Sequence, residues 1–263
     1  MAPPEGFMRE LVLSILLVVS GSSFAAETPL RFSIADSWSM PLVNIVDNQP
    51  NDGILFDIMQ SLARQVGRTA EYHVLPRLRV QAALERGEVN IRCYAAQAWT
   101  AGLSGDYTWS LPILIQRDVL VTVNQDRSIT GPAQLAPGEV VGVVLGYRYP
   151  ALQPFFDRQE LIREDARNQD QALKKLAVGR YQYAVTNQMA LDWYNRINPG
   201  EPPLRVVTRL TEQPAGCIVR NDPDIPVQRL LRVLVRMSVS GELQRIIDKY
   251  TAPLPAAGTS LSQ

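Results

Sequence analysis

Apolar positions along this chain recur with two periods, and the two alternate. Leu30 to Ala35 (LRFSIA) alternates apolar and polar residues through Ile34, the period-two signature of a strand. Ile54 to Val66 (ILFDIMQSLARQV) repeats its apolar residues at helical spacing, with Gly67 placed to close the helix as its C′ residue. Ala70 to Leu75 predicts a second strand, Leu78 to Glu85 a short helix stopped at Arg86-Gly87, and Val89 to Tyr94 a third strand. The polar, Pro-containing stretch from Asp36 to Asp52 predicts a loop. This β-α-β-α-β series argues for a parallel sheet with helices against its faces.

The rhythm changes at Trp109 to Val123, where the apolar run Val119 to Val123 predicts a buried strand with no helix before it. A second unit follows. Val140 to Leu145 predicts a strand ending at Gly146, and helical patterns follow at Pro150 to Phe156 and Gln169 to Leu176. Tyr183 to Thr186 and Leu204 to Thr208 predict strands around a helix at Met189 to Tyr194. The chain closes with a strand at Gly216 to Arg220 and helices at Val227 to Ser238 and Glu242 to Tyr250. Two similar units and a late return segment predict two lobes joined by two crossings: 26–117 with 212–251, and 118–211. Ligands of open α/β sheets sit beyond the carboxyl ends of the strands, so the cleft between such lobes is the expected site.

The first residues carry a different signal. Arg9 precedes the apolar run LVLSILLVVS at 11–20, and Gly21-Ser22-Ser23-Phe24-Ala25 follows it. A charged start, a short apolar stretch and a small-residue end describe an export signal, with Met1 or Met8 as its start and the cut after Ala25. The run is about half the roughly 20 residues that span a bilayer. Removing 25 residues from 263 leaves 238, enough for two lobes of ordinary size. The expected location is the periplasm. Lys plus Arg and Asp plus Glu number 26 each, so no net field favours nucleic acid. The last residues, 252–263, are rich in Pro, Ala, Ser and Gly and predict a flexible tail. Two cysteines, Cys93 and Cys217, permit one disulfide in an oxidising compartment; two buried free thiols on separate strands are the alternative.

Several segments, in order, resemble the bacterial extracellular solute-binding proteins of the polar amino-acid uptake type, family 3, over about 30–250. Asn51-Asp52-Gly53-Ile54-Leu55-Phe56-Asp57-Ile58 resembles the G-x-x-x-G-F-D-x-D block that opens the first helix. Ala83 to Asn90 is similar to the L-x-x-G-x-x-D turn, and Trp109-Ser110-Leu111-Pro112-Ile113 to the F-S-x-P-Y lead into the hinge. Val141 to Gly146 resembles the first strand of the second lobe, and Gly241 to Tyr250 the closing helix. Leu75-Pro76-Arg77-Leu78-Arg79 is similar to the P-w-x-R helix start of divergent members. The resemblance implies a type II periplasmic-binding-protein-like α/β fold. Each lobe would be a mixed, mostly parallel sheet flanked by helices, hinged by two crossings and working as a monomer. It implies a small-molecule solute captured between the lobes and passed to an inner-membrane ABC permease or a membrane sensor, with no cofactor and no covalent step.

The departures narrow the ligand. The resembling proteins fork an Arg onto an α-carboxylate in a T-x-x-R block, whereas 97–103 reads QAWTAGL. Where an acidic residue would meet an α-amino group, this chain has Gln182 and Asn187. A standard free α-amino acid is therefore not the expected ligand; a small polar or aromatic solute is. The candidate ligand residues follow the strands. Trp38 lies in the loop that, by the resemblance, offers an aromatic platform to the ligand, a core aromatic tucked under the loop being the alternative; Asp36 beside it suits a ligand amine or a loop cap. Tyr94 and Trp99 flank the exit of the third strand. Tyr147 and Arg148 follow the Gly146 turn, where Arg148 suits an anion. Thr186 and Asn187 suit neutral hydrogen bonds. Arg79 reads as a solvated helical residue, and Arg92, alternating with Cys93, as surface or salt-bridged. His73, the one histidine, lies in a strand pattern; no nucleophile elbow, Walker loop or zinc-ligand cluster accompanies it. Two other readings stay open: a cyclohexadienyl-dehydratase-like enzyme on the same fold, and an exported scaffold without a ligand.

Overall fold

The structure, a computed structural model, describes residues 28–124 and 129–252. The export segment 1–25 and the tail from 253 onward lie outside the described residues. The chain begins with strand β1 (Leu30–Ala35), the small hairpin β2 (Asn44–Val46) and β3 (Gln49–Asp52), helix α1 (Ile54–Gln65) and strand β4 (Ala70–Leu75). A 3₁₀ turn at Arg77–Arg79 runs into α2 (Val80–Glu85), then β5 (Ile91–Ala95) and β6 (Tyr107–Trp109). Next come β7 (Leu114–Thr122), β8 (Glu139–Val144), α3 (Gln153–Asp157), β9 (Leu161–Ala166), α4 (Gln169–Ala177), β10 (Tyr183–Asn187) and α5 (Gln188–Ile197). The chain returns through β11 (Arg205–Arg220) and ends in α6 (Val227–Val239) and α7 (Glu242–Thr251).

The strands form one continuous mixed path, β4-β1-β5-β11-β7-β10-β8-β9, with β6 also on β11. The pairs β4-β1-β5 and β10-β8-β9 are parallel, whereas every pairing of β11 is antiparallel. Two differences from the sequence expectation have physical causes. The strands expected at Leu204 to Thr208 and Gly216 to Arg220 are one 16-residue strand that begins at Arg205, because the polar stretch between them pairs with β7. The strand β9 is an edge strand carrying Arg163, Glu164 and Asp165, so its apolar rhythm is too weak to read. The loop expected over 36–52 contains the hairpin β2-β3.

Helix α1 shows how local sequence sets an element. Its residues Ile54, Leu55, Ile58, Met59 and Leu62 make one buried stripe. It ends in a Schellman motif: the Gly67 N–H donates to Arg64 O at 3.1 Å and the Arg68 N–H to Ala63 O at 3.0 Å. The motif needs a left-handed residue, and Gly67 supplies it at φ 75°. The α1 stripe packs on Phe32 and Ile34 of β1 and on Leu230, Val233 and Met237 of α6. Each such side chain contributes about 1.5–3 kcal/mol when fully buried. Two further clusters cover the opposite faces of the β7-β10-β8 region, one with Leu173, Leu176 and Leu191, the other with Val143, Leu152 and Val185. Among the described residues no helix is long and apolar enough to cross a membrane.

The chain crosses between the two halves of the sheet twice, side by side. Strand β11 pairs with β7 from Arg205↔Thr122 to Ala215↔Leu114, then with β5 from Gly216↔Ala95 to Val219↔Ile91. On its other flank β6 and β7 run along it as one broken strand, interrupted at 110–113. The interruption is held by the Ser110 N–H donating to Cys217 O at 2.9 Å and the Ile113 N–H donating to Ala215 O at 2.8 Å. Gly216 permits the close approach: a Cβ there would lie 2.9 Å from Ser110 Oγ and 3.1 Å from Leu111 O. One residue on, Cys217 is bonded to Cys93 of β5, with Cα atoms 3.9 Å apart, so neither thiol is free. The bond links residues 124 apart in sequence, and a long closed loop removes much freedom from the unfolded chain. Replacing both cysteines by Ala is expected to lower stability by about 2–5 kcal/mol in denaturant unfolding. An unchanged midpoint would contradict this.

Candidate functional site

The carboxyl ends of the parallel strands meet across the crossing. Beyond β1 the chain reads Asp36-Ser37-Trp38, beyond β4 Pro76-Arg77, and beyond β8 Gly146-Tyr147. Asp36 Oδ1 accepts the Arg77 backbone N–H at 3.3 Å, tying the first two loops together. Ser37 Oγ donates to the Tyr147 hydroxyl at 3.3 Å, and the Arg77 guanidinium lies 5.7 Å from the centre of the Tyr147 ring. A Cβ on Gly146 would meet Leu78 at 3.4 Å, so the 3₁₀ turn of one half rests on the β8 loop of the other. Helix α5 of the second half also meets the first. Met189 and Trp193 pack on the core that contains α6 and α7, and Arg196 Nη1 donates to Ala252 O at 2.8 Å. The cleft between the two halves is therefore shut, with polar side chains facing one another across it.

Below the rim lies an aromatic cluster. Trp38 meets Tyr94 edge to face at 5.9 Å, and Tyr94 meets Trp99 the same way at 5.8 Å. Tyr94 has φ 60°, a left-handed backbone that a bulky residue adopts only under constraint. The constraint is visible: the ring is held between two indoles, and its hydroxyl donates to Gln116 Oε1 on β7. Gln116 Nε2 donates onward to Asp118 Oδ1 at 2.6 Å, and Thr211 Oγ1 of β11 donates to Asp118 Oδ2 at 3.0 Å. This relay runs from the first half into both crossing strands. Burial pushes the Tyr94 hydroxyl well above the ordinary tyrosine range, with Tyr147 and Asp118 adding to it. Burial also raises the Asp118 carboxyl, against the hydrogen bonds from Gln116 and Thr211.

Of the residues expected from the sequence, Trp38, Tyr94 and Trp99 form this cluster, and Asp36 and Tyr147 stand at the rim above it. Arg148 is exposed. Thr186 and Asn187 are buried, and their hydrogen bonds go to the fold. Thr186 Oγ1 donates to Gln169 Oε1 at 2.8 Å, and Asn187 Oδ1 caps α5 by accepting the Ala190 N–H at 2.7 Å. Sequence reasoning missed Ser37, Arg77, Gln116 and Asp118. A signal existed for two of them: Gln116 and Asp118 lie two apart in β7 and so share one face, opposite to that of the exposed Arg117 between them. The reading of Arg92 needs correction. It is neither at the surface nor salt-bridged: it is 3% exposed, and among the described residues it has no ion pair. Burial, reinforced by Arg77, pulls its pKa down to about 10, with Tyr147 opposing.

No protein-family model matches the chain, and no curated protein matches it in sequence. Solved structures do match in fold. An ancestral arginine-binding protein bound to arginine superposes with TM-score 0.70 at 19% identity, over 84% of this chain and 97% of that one. The ancestral amino acid-binding protein AncCDT-1, a precursor of cyclohexadienyl dehydratase, gives TM-score 0.69 at 19% identity, over 85% and 95%. A histidine kinase sensor domain with similarity to periplasmic binding proteins gives TM-score 0.69 at 20% identity, over 88% and 99%. The fold is thus the two-lobed α/β architecture of periplasmic binding proteins.

Tyrosine titration reads the packing of this site. Tyr94, Tyr147 and Tyr149 are raised chiefly by burial, and Tyr72 is pushed up to about 12 by burial and then Asp57. Unfolded tyrosines ionise near pH 10. Above that pH the unfolded chain releases protons that the folded chain retains, so stability falls as pH rises. We expect the phenolate absorbance of these residues to appear in one cooperative step with loss of circular dichroism, above about pH 10. Gradual ionisation in a fully folded protein would contradict the packing.

Proposed function

We propose that this protein is an exported solute-binding protein that holds a small polar or aromatic solute between its two lobes. The observation that carries this reading is the shut cleft at the strand ends. Loops from β1, β4 and β8 meet there around Ser37, Arg77 and Tyr147, above an aromatic cluster and beside the paired crossings. Such a geometry captures a ligand by differential affinity for the closed state, with no bond made or broken. The lobes are 26–117 with 212–251, and 118–211, and the hinge lies in β7 and β11 where the second boundary falls. The mature chain starts at Ala26, acts in the periplasm as a monomer, and hands its solute to an inner-membrane ABC permease or reports it to a membrane sensor. A standard free α-amino acid is not its ligand.

One observation favours a second reading. Asp118, half-buried and raised in pKa, has the character of a general acid, which a cyclohexadienyl-dehydratase-like enzyme would need. Its two oxygens are already committed to Gln116 and Thr211, which favours a structural role.

The test joins mass spectrometry of small molecules released from gently purified protein with a thermal-shift screen of amino acids, polyamines, aromatic acids and peptides. A solute present at about 100 times its Kd is expected to add about 2.7 kcal/mol of stability. Turnover of prephenate or arogenate would replace the binding reading by the enzymatic one. Neither stabilisation nor turnover would leave a scaffold without a ligand.

A further inference from the structure

Among the buried polar atoms without a partner in the first half, those of Arg92 and Ser33 stand on adjacent strands. Arg92 of β5 lies opposite Ile218 of β11 in register. Phe32 of β1 pairs with Ile91 of β5, and one step further along these parallel strands Ser33 comes beside Arg92. Side chains at neighbouring register positions share a face of the sheet. This face is the one away from Phe32, Ile91 and Cys93, which belong to the α1 core. Arg92 Nη1 and Ser33 Oγ both lie out of solvent with no hydrogen bond. A buried cation without a partner is costly, and a buried hydroxyl without one adds to the cost.

No acidic group answers this charge. Asp36 is held by the Arg77 backbone, and both oxygens of Asp118 are occupied by Gln116 and Thr211. The charged or titratable groups whose field reaches Arg92 are Arg77, which repels it, and the Tyr147 hydroxyl. Arg92, buried in β5, and Arg77, half-buried on the turn after β4, thus lie within reach of one another's field. We propose that this is an anion site, in which Arg92 and Ser33 from below and Arg77 from above hold the carboxylate of a small solute. The guanidinium fork matches a planar carboxylate, and the serine hydroxyl adds a further donor. The Ser37–Tyr147 hydrogen bond closes over it and ties the filled site to the approach of the lobes. This assignment rests on the solute-binding reading and names the chemistry that the solute must carry.

The test measures melting temperature and titration calorimetry on the mature protein, stripped of bound molecules by unfolding and refolding. The probes are benzoate, malonate, citrate and inorganic phosphate, beside uncharged benzamide and cationic putrescine. At least one carboxylate is expected to raise the wild-type melting temperature, and benzamide and putrescine are not. Arg92→Met is expected to weaken that carboxylate on the order of 100-fold, and the half-buried Arg77→Gln about tenfold. Without any probe, Arg92→Met is expected to melt several degrees above wild type, because it removes an unpaired buried charge. The proposal is overturned if Arg92→Met binds the carboxylate within about threefold of wild type. It is also overturned if the probe-free variant melts below wild type, or if phosphate alone stabilises the protein. Stabilisation by benzamide or putrescine only would defeat the anion site and leave the solute-binding reading standing. No stabilisation by these probes or by any solute of the wider screen would defeat both.

Discussion

The structure depends on one strand serving two sheets' worth of neighbours. Strand β11 is paired with β7 along its first part and with β5 and β6 along its second, so no boundary between the halves can form without it. Pairing fixes the register of both halves relative to this strand, because a slip by one residue would turn every side chain to the wrong face. The register shifts at Val206/Thr208, Arg209/Thr211 and Gly216/Cys217 mark where the strand bends. The Cys93–Cys217 bond fastens it to the first half one residue beyond the last of these bends. The proposed hinge falls in the stretch that β11 shares with β7, opposite Gln116 and Asp118.

Most elements could be read from apolar rhythm. Strands β1 and β4 and helix α1 stand where their period predicts them; α1 buries the stripe that the period indicates, whereas β1 is covered on both faces and β4 is half-buried along most of its length. Reading failed where tertiary pairing replaced local pattern. The middle of β11, Arg209-Leu210-Thr211-Glu212-Gln213-Pro214, is polar because one of its sides faces solvent at the crossing, yet it is strand. The edge strand β9 hid behind its own charges, and the hairpin β2-β3 behind Pro and Asn residues that also mark loops.

The site was readable in its aromatic part and unreadable in its charged part. Trp38 and Trp99 follow strand ends and Tyr94 is the penultimate residue of β5, which is where a cleft must draw its residues. Arg92 lies inside a strand, and nothing in one sequence separates a buried arginine from a surface one. Only the register, which sets it beside Ser33 and opposite Ile218, shows that its charge is enclosed. The segment 97–103, expected to hold a carboxylate-binding Arg in the resembling proteins, has none, and the cations of this cleft come instead from β5 and from the turn after β4. A core built for stability alone would fill the Arg92 position with an apolar side chain; the proposed anion site accounts for the cation kept there.

The central claim is that two rigid halves move about the β7/β11 pair and close on a solute. The most direct test places fluorophores at the exposed positions Val178 and Val239, one on each half, with the native disulfide intact. Single-molecule energy transfer is then recorded on stripped protein and again with the solute that the binding screen selects. The account predicts a broad or longer inter-label distance without solute and a single shorter one with it. One distance, unchanged by any bound solute, would contradict it.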